Sequence, residues 1–293
     1  MPRRAAVADS LFRLARAGVH LAHGLWIVQT RYARLAPAEQ DRALEGWSRK
    51  LLAILRVRVA AHNAPAVIPD RCLLVSNHVS WLDIFAVYAV APSLFVAKSE
   101  IRSWPLVGRL VARIGTLFIE RGSRRHARAT SERVVAALAS GRLVSVCPEG
   151  TTTDGRSVKH FHAALLQPAI DAGATVLPVA LRYRERDGGR TGEQTDAAAY
   201  VGEMSLVESM WRIVREPGLE VELRFAAAID ARDRHRRELA AMARELIARE
   251  LDLPLAYPAV PDTAPGTDAG LPDGSPSAHR PTRSPYPAPA DPA

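Results

Sequence analysis

Apolar positions change period several times along the chain. Between about Leu11 and Val28 they recur at alternating steps of three and four, through Leu14, Gly18, Leu21 and Leu25, which predicts a helix. Arg13, Arg16, His20 and His23 interrupt the apolar character elsewhere on that helix. A second helix is predicted over about Ala38 to Leu55. Short β-rich apolar runs follow at Arg56 to Ala60, Cys72 to Ser76, Leu94 to Ala97, Thr116 to Ile119, Leu143 to Cys147, Thr175 to Leu181 and Leu219 to Phe225. Helical patterns separate several of them, notably Ala127 to Ser140, which stops at Gly141 as helices often do. A last helix is predicted over about Arg234 to Leu251. Strands alternating with helices predict an α/β domain whose central sheet is largely parallel or mixed and flanked by helices. Pro178 inside one run points to an edge strand or a bulge, because proline cannot donate to a ladder.

The expected organisation is therefore N-terminal helices to residue 60, an α/β domain over 61–252, and a tail over 253–293. That tail holds eleven of the 21 prolines and is expected to bury too little apolar surface to order itself. The first helix falls short of the roughly 20 mostly apolar residues that a spanning helix needs. Two readings stay open for it. It fits a helix lying in a membrane interface, with Trp26, Arg31 and Arg34 near headgroup level, and it fits a helix packed on the protein's own core.

A hydrophobic fraction of 48% in 293 residues is enough for a real core. A formal charge of +8 suits anionic partners: nucleic acid, acidic lipid headgroups, phosphorylated substrates or an acidic carrier protein. The arginine-rich stretches Ser123 to Arg133 and Arg232 to Arg249 are interspersed with Glu132, Glu238 and Glu245. Without aromatic residues between the basic ones they make no stacking platform, so no nucleic-acid partner is expected. The two cysteines, Cys72 and Cys147, each sit in an apolar run and read as reduced thiols. No metal-ligand spacing, Gly-rich phosphate loop, dinucleotide fingerprint or nucleophile elbow occurs, so neither a bound cofactor or metal nor a covalent serine hydrolase is expected.

Four segments carry candidate chemistry. In Asn77-His78-Val79-Ser80-Trp81-Leu82-Asp83, a histidine and a carboxylate follow a buried strand. His78 titrates near neutral pH, and a carboxylate on its second ring nitrogen would fix its tautomer. Ser80 and Asp83 equally fit a helix capping box. In Gly115 to Arg121, an apolar strand ends in an arginine suited to a phosphate, or to pairing with Glu120 or Glu132. In Val146 to Gly155, a strand ends in a turn with Glu149, Gly150 and Thr151 to Thr153. That turn suits an anion approaching the backbone, or a loop satisfied by its own side chains. Ala174 to Leu181 reads as core, with its proline near the site.

Together these segments resemble the glycerolipid acyltransferase family typified by 1-acylglycerol-3-phosphate acyltransferase. Its blocks Asn-His-x4-Asp, Gly-x-x-Phe-Ile-x-Arg, Pro-Glu-Gly-Thr and Val-x-Pro-Val stand here, in order, at Asn77 to Asp83, Gly115 to Arg121, Pro148 to Thr151 and Val176 to Val179. The resemblance spans about residues 70 to 185. It implies acyl transfer from acyl-coenzyme A or acyl carrier protein to the sn-2 hydroxyl of 1-acyl-sn-glycerol 3-phosphate, giving phosphatidic acid. His78 would be the general base and Asp83 its partner. Arg121 would hold the acceptor's phosphate, with Gly115, Phe118, Glu149, Gly150 and Thr151 in the substrate site. Lys98, Arg124 and Arg125 are candidates for the donor's phosphates or an acidic carrier. The N-terminal helices would attach the enzyme to the cytoplasmic face of the inner membrane. One departure bears on the acceptor: many members have arginine where this chain has Thr152, so another lysolipid, such as a lyso-ornithine lipid, stays open. A non-catalytic basic module binding membrane or nucleic acid is the remaining alternative.

Overall fold

The computed structural model describes residues 2–104, 107–120 and 124–256. Arg121 and the Pro-rich stretch from residue 257 onward lie outside the described residues. The chain opens with helices α1 (Pro2–Thr30) and α2 (Pro37–Ile54), then strands β1 (Val57–His62) and β2 (Cys72–Ser76). Helix α3 (Leu82–Tyr88), β3 (Leu94–Lys98), α4 (Val107–Arg113) and β4 (Leu117–Ile119) follow. Next come α5 (Arg124–Ala139), β5 (Val144–Val146), α6 (Gln167–Asp171), β6 (Thr175–Asp187) and β7 (Arg190–Gln194). Helix α7 (Leu206–Arg215), β8 (Leu219–Phe225), β9 (Ile229–Asp230) and α8 (Arg236–Leu251) complete the described part.

The strands form one sheet in the order β1-β8-β6-β2-β5-β3-β4, with β7 and β9 also pairing with β6. Pairs on the β2, β5, β3 and β4 side are parallel, as are β1–β8 and β2–β6, while β6 runs antiparallel to β7, β8 and β9. The sheet is thus mixed and largely parallel, as the alternation of strand and helix patterns predicts.

Strand alternation sends side chains to two separate cores. Cys72 and Leu74 of β2 and Leu177, Val179 and Leu181 of β6 face a layer containing α1, α2, α3 and α7. Leu73 and Val75 of β2 and Val176 of β6 face the layer of α5, α6 and α8. Both faces are therefore covered, which is why the strand runs read as continuously apolar.

Pro178 corrects the edge-strand expectation. β6 is central, paired with β2 in a register that sets Val75 opposite Pro178. On its other side the ladder breaks between β9, which ends its pairing at Val176, and β8, which begins at Val179. The Pro178 carbonyl accepts from Ala226 N at 2.9 Å in that gap. In a strand the N–H and C=O of one residue point to the same side, so the missing donor falls where the ladder is already interrupted.

α1 and α2 pack closely. His20 stacks on Trp47 with ring centroids 4.6 Å apart, and each bonds the other's backbone carbonyl. A Cβ on Gly24 would lie 2.6 Å from the Trp47 ring, so only glycine allows this approach. Ser10 and Arg13 reach the carbonyls of Val214 and Glu216 at the end of α7. The inner face of α1 is thus partly polar, with Ser10, Arg13, Ala17 and His20 buried. Its outer face exposes Leu11, Phe12, Val19 and Trp26, each about half exposed or more. The helix packs on the core through Leu14, Leu21, Leu25 and Val28, as the core-packed reading expects, and among the described residues its opposite apolar face is exposed. Among the described residues no helix is long and apolar enough to cross a membrane.

Candidate active site

β2 lies near the middle of the sheet, and its carboxyl end delivers Asn77 and His78 to the edge where α/β sheets bind ligands. Asn77 fixes that exit. Its side-chain amide donates to the Leu181 carbonyl at 2.9 Å and accepts from Leu181 N at 2.7 Å, continuing the β2–β6 pairing with a side chain. The chain then turns into α3. His78 Nδ1 stands 2.7 Å from Asp83 Oδ2. A carboxylate only accepts, so Nδ1 carries the proton and the Nε2 lone pair is left over.

Asp83 is fully buried, yet four donors meet its two oxygens. Besides His78, Oδ2 accepts from Val79 N at 2.7 Å and Ser80 N at 2.9 Å, and Oδ1 accepts from the Tyr183 hydroxyl at 2.7 Å. The two readings of this heptad therefore coincide. The carboxylate that would complete a capping box does bind the Ser80 amide, and the same oxygen holds the histidine. Ser80 Oγ accepts from Leu82 N at 3.3 Å, so only half of the reciprocal box is formed.

Tyr183 has no counterpart in the sequence reading. It is fully buried and 100 residues away from Asp83 in sequence, and it lies two residues past the predicted strand end, on the six residues by which β6 outruns that prediction. Burial, and then the neighbouring Asp83 charge, push its hydroxyl well above the ordinary 10. It is a neutral donor throughout the physiological range.

His78 keeps 20% of its side-chain surface. Burial opposes its charged form, but Cys147 and the Asp83 hydrogen bond and charge outweigh that, and the imidazole pKa lies well above 6.5. The turn after β5 closes over it. Thr153 N and Oγ1 both donate to the His78 carbonyl, at 2.8 and 3.1 Å, and Thr152 Oγ1 donates to the Tyr200 carbonyl. Gly150 turns the chain with φ of +65°, where a side chain would be strained.

A cavity of about 350 Å³ opens beside His78. Trp81, Phe85, Phe95, Trp104 and Met210 are among its mostly apolar walls, and Leu21 and Leu51 bring α1 and α2 into it. Cys147, Gly150, Thr151 and Thr152 line it on the β5 side. The site thus combines a proton acceptor with space for a hydrocarbon chain.

The other expected site residues fall in different places. Glu149 does not line this cavity, although its neighbours do. It is 4% exposed, and neither carboxyl oxygen has a hydrogen-bond partner. Burial, partly offset by His78, pushes its pKa from 4.5 up to about 8, so it is protonated at neutral pH. Gly115, at φ of +93°, makes the turn from α4 into β4, where a Cβ would meet Leu94 at 3.0 Å. Phe118 sits under the Arg102 guanidinium and accepts from Thr130 through its carbonyl. Neither of these two lines the cavity. Among the described residues, no cluster of three or more His, Cys, Asp or Glu could hold a metal ion.

A mostly apolar cavity at the strand ends of a mixed α/β sheet suits a protein that handles acyl chains, and comparisons with known proteins show the family. A family model described as Acyltransferase matches residues 56–182. The 1-acyl-sn-glycerol-3-phosphate acyltransferase of Neisseria meningitidis serogroup B is 41% identical over 195 residues, which cover 67% of this chain and 74% of that protein. The lyso-ornithine lipid O-acyltransferase of Pseudomonas aeruginosa is 37% identical over 217 residues, covering 73% and 80%. The crystal structure of the 1-acyl-sn-glycerophosphate acyltransferase PlsC from Thermotoga maritima is 23% identical and gives a TM-score of 0.63 over 86% of this chain and 97% of that one, a likeness of fold. The chain belongs to the glycerolipid acyltransferase family and is an O-acyltransferase.

Proposed function

We propose that this enzyme moves a fatty acyl group from a thioester, acyl-coenzyme A or acyl carrier protein, to the sn-2 hydroxyl of 1-acyl-sn-glycerol 3-phosphate. The observation carrying this reading is the 2.7 Å contact of His78 Nδ1 with Asp83 at the wall of an apolar cavity. His78 Nε2 takes the hydroxyl proton as the acceptor oxygen attacks the thioester carbonyl. Asp83 holds the ring and balances the imidazolium. The thiolate then leaves, helped by its low basicity (thiol pKa about 8.5) and by the proton on His78. Assistance of this kind supplies about 10²- to 10⁴-fold. The acceptor is itself the nucleophile, so no covalent enzyme intermediate is required.

The test is transfer of labelled acyl groups to lysophosphatidate by purified protein. His78→Ala should abolish it, and wild-type turnover in that variant would end the base assignment. Attachment to a membrane fits the outer face of α1, where Ala8, Leu11, Ala15, Val19, Ala22 and Trp26 form an uncharged exposed stripe flanked by Phe12, Arg16 and Arg31. The enzyme would then lie on the cytoplasmic face of the inner membrane as a peripheral protein.

A second acceptor has its own support. Thr152, at the position where many family members carry arginine, is hydrogen-bonded to Tyr200 and brings no cation to the acceptor, and the Pseudomonas relative is named for lyso-ornithine lipid. Competition between lysophosphatidate and lyso-ornithine lipid in one reaction distinguishes the two by product.

A further inference from the structure

A second cavity, of about 490 Å³, lies on the opposite face of the sheet, between α5 and the segment leading into α6. Leu73 and Val146 form its floor, and Thr130, Ser131 and Val134 of α5 form one wall. Its charged or titratable lining residues are Lys98, His162 and Arg236, and among the described residues no acidic side chain lines it. It meets the His78 cavity at the carboxyl ends of β3 and β5, where Val96, Ala97, Lys98 and Gly150 line both.

We propose that this second groove seats the phosphorylated pantetheine arm of the acyl donor, with the acyl chain crossing the strand ends into the cavity beside His78. This rests on the acyl-transfer reading above and adds where each half of the donor lies. Three observations carry it. The two cavities share Val96, Ala97, Lys98 and Gly150 as lining at the strand ends, where a thioester joining their contents would pass beside the His78 cavity. The face bearing the His78 cavity is the face of α1, whose uncovered apolar stripe suits bilayer contact. The groove is on the other face, with α5, α6 and α8, turned toward a water-soluble donor. Finally, its lining mixes apolar walls with Ser131, Gln167 and three basic side chains, which matches a chain of amides and methyl groups ending in a phosphate.

The experiment uses the full chain in detergent. Titration calorimetry with 4′-phosphopantetheine, and separately with coenzyme A, reads binding without turnover. Steady-state transfer is then measured with donor or acceptor varied. Ser131→Trp fills the groove, and Arg236→Glu reverses its charge at an exposed position that cannot unfold the core. Each should weaken phosphopantetheine binding and raise the donor KM about tenfold, about 1.4 kcal/mol, while the acceptor KM changes less than about twofold. Arg237→Glu, one residue on and outside the groove lining, should match wild type. A rise in acceptor KM alone would overturn the proposal and assign the groove to the acceptor's phosphate. Unchanged values in both variants would place it outside the reaction path. If wild type transfers no acyl group, the acyl-transfer reading fails separately, and the calorimetry still decides whether the groove binds pantetheine.

Discussion

Glutamine in place of Glu149 should stabilise the protein at alkaline pH and change little near pH 4.5. The carboxyl is 4% exposed with both oxygens unpartnered, and burial raises its pKa from 4.5 to about 8. The unfolded chain releases this proton near pH 4.5, whereas the folded chain keeps it until about pH 8. Across that window the native state binds the extra proton, so stability falls as pH rises. At about 1.4 kcal/mol per pH decade, the displacement from 4.5 to about 8 sets an upper bound of about 5 kcal/mol on the loss. Water entering the opened state would lower that figure, so about 2–4 kcal/mol is the working expectation. Glutamine has nearly the same shape and never ionises. Urea unfolding of both proteins at about pH 5, 7 and 9 should therefore give curves that coincide at the acid end and diverge steadily, with the variant above. His78 also has a raised pKa and favours the folded state below about 6.5, with that stability lost as pH rises through its higher folded value. It titrates in both proteins, and its lowering effect on Glu149 is already contained in the value of about 8. Parallel curves, offset equally at every pH, would refute the claim that a buried neutral carboxyl stands at residue 149.

Three further outcomes follow from the Asp83 network and from α1. Asp83→Asn removes the charge that raises the His78 pKa, so the acid limb of kcat/KM should move to lower pH, and plateau turnover should fall by about 10³- to 10⁴-fold through loss of the correct tautomer. Tyr183→Phe strips one of four donors from a fully buried carboxylate; thermal unfolding should reveal a loss of about 1.5–3 kcal/mol. More of the Asp83 charge then falls on His78, so the acid limb should move to higher pH, opposite to the asparagine variant. Replacing Leu11, Val19 and Trp26 together by serine should reduce co-sedimentation with anionic lipid vesicles and leave the melting temperature within a few degrees, because those side chains are exposed.

What could be read from the sequence, and what could not, divides along a physical line. β2 was legible because Cys72 to Ser76 is buried on both faces and therefore unbroken in apolar character. The Asn77 to Asp83 turn was legible because its bonds are local, the His78–Asp83 contact spanning five residues. The rest of the network was hidden because it is made by sequence-distant partners. Tyr183 reaches Asp83 only through the pairing of β6 with β2, and Asn77 binds Leu181 only through the same pairing. The true end of β6 was obscured by charge. From Arg182 to Asp187 its outward residues are ionic, and their partners lie on β8, as in the Arg184–Glu222 pair at 3.0 Å. An alternating strand whose polar side is built from arginines looks like a loop until its neighbour's carboxylates are in place. Pro178 sits at an interruption of the ladder within a central strand rather than on an edge, because its missing donor concerns one side of the strand at one position. The α1 stripe is legible in part: Leu14, Leu21, Leu25 and Val28 pack on the core as their spacing implies, while Ser10, Arg13 and His20 join that face through bonds to backbone carbonyls across helix interfaces. An apolar stripe predicts the inward face only when the outward face meets water. In α1 both faces carry apolar residues, Leu14, Leu21, Leu25 and Val28 toward the core and Leu11, Phe12, Val19 and Trp26 outward, so the period alone does not tell which face is covered.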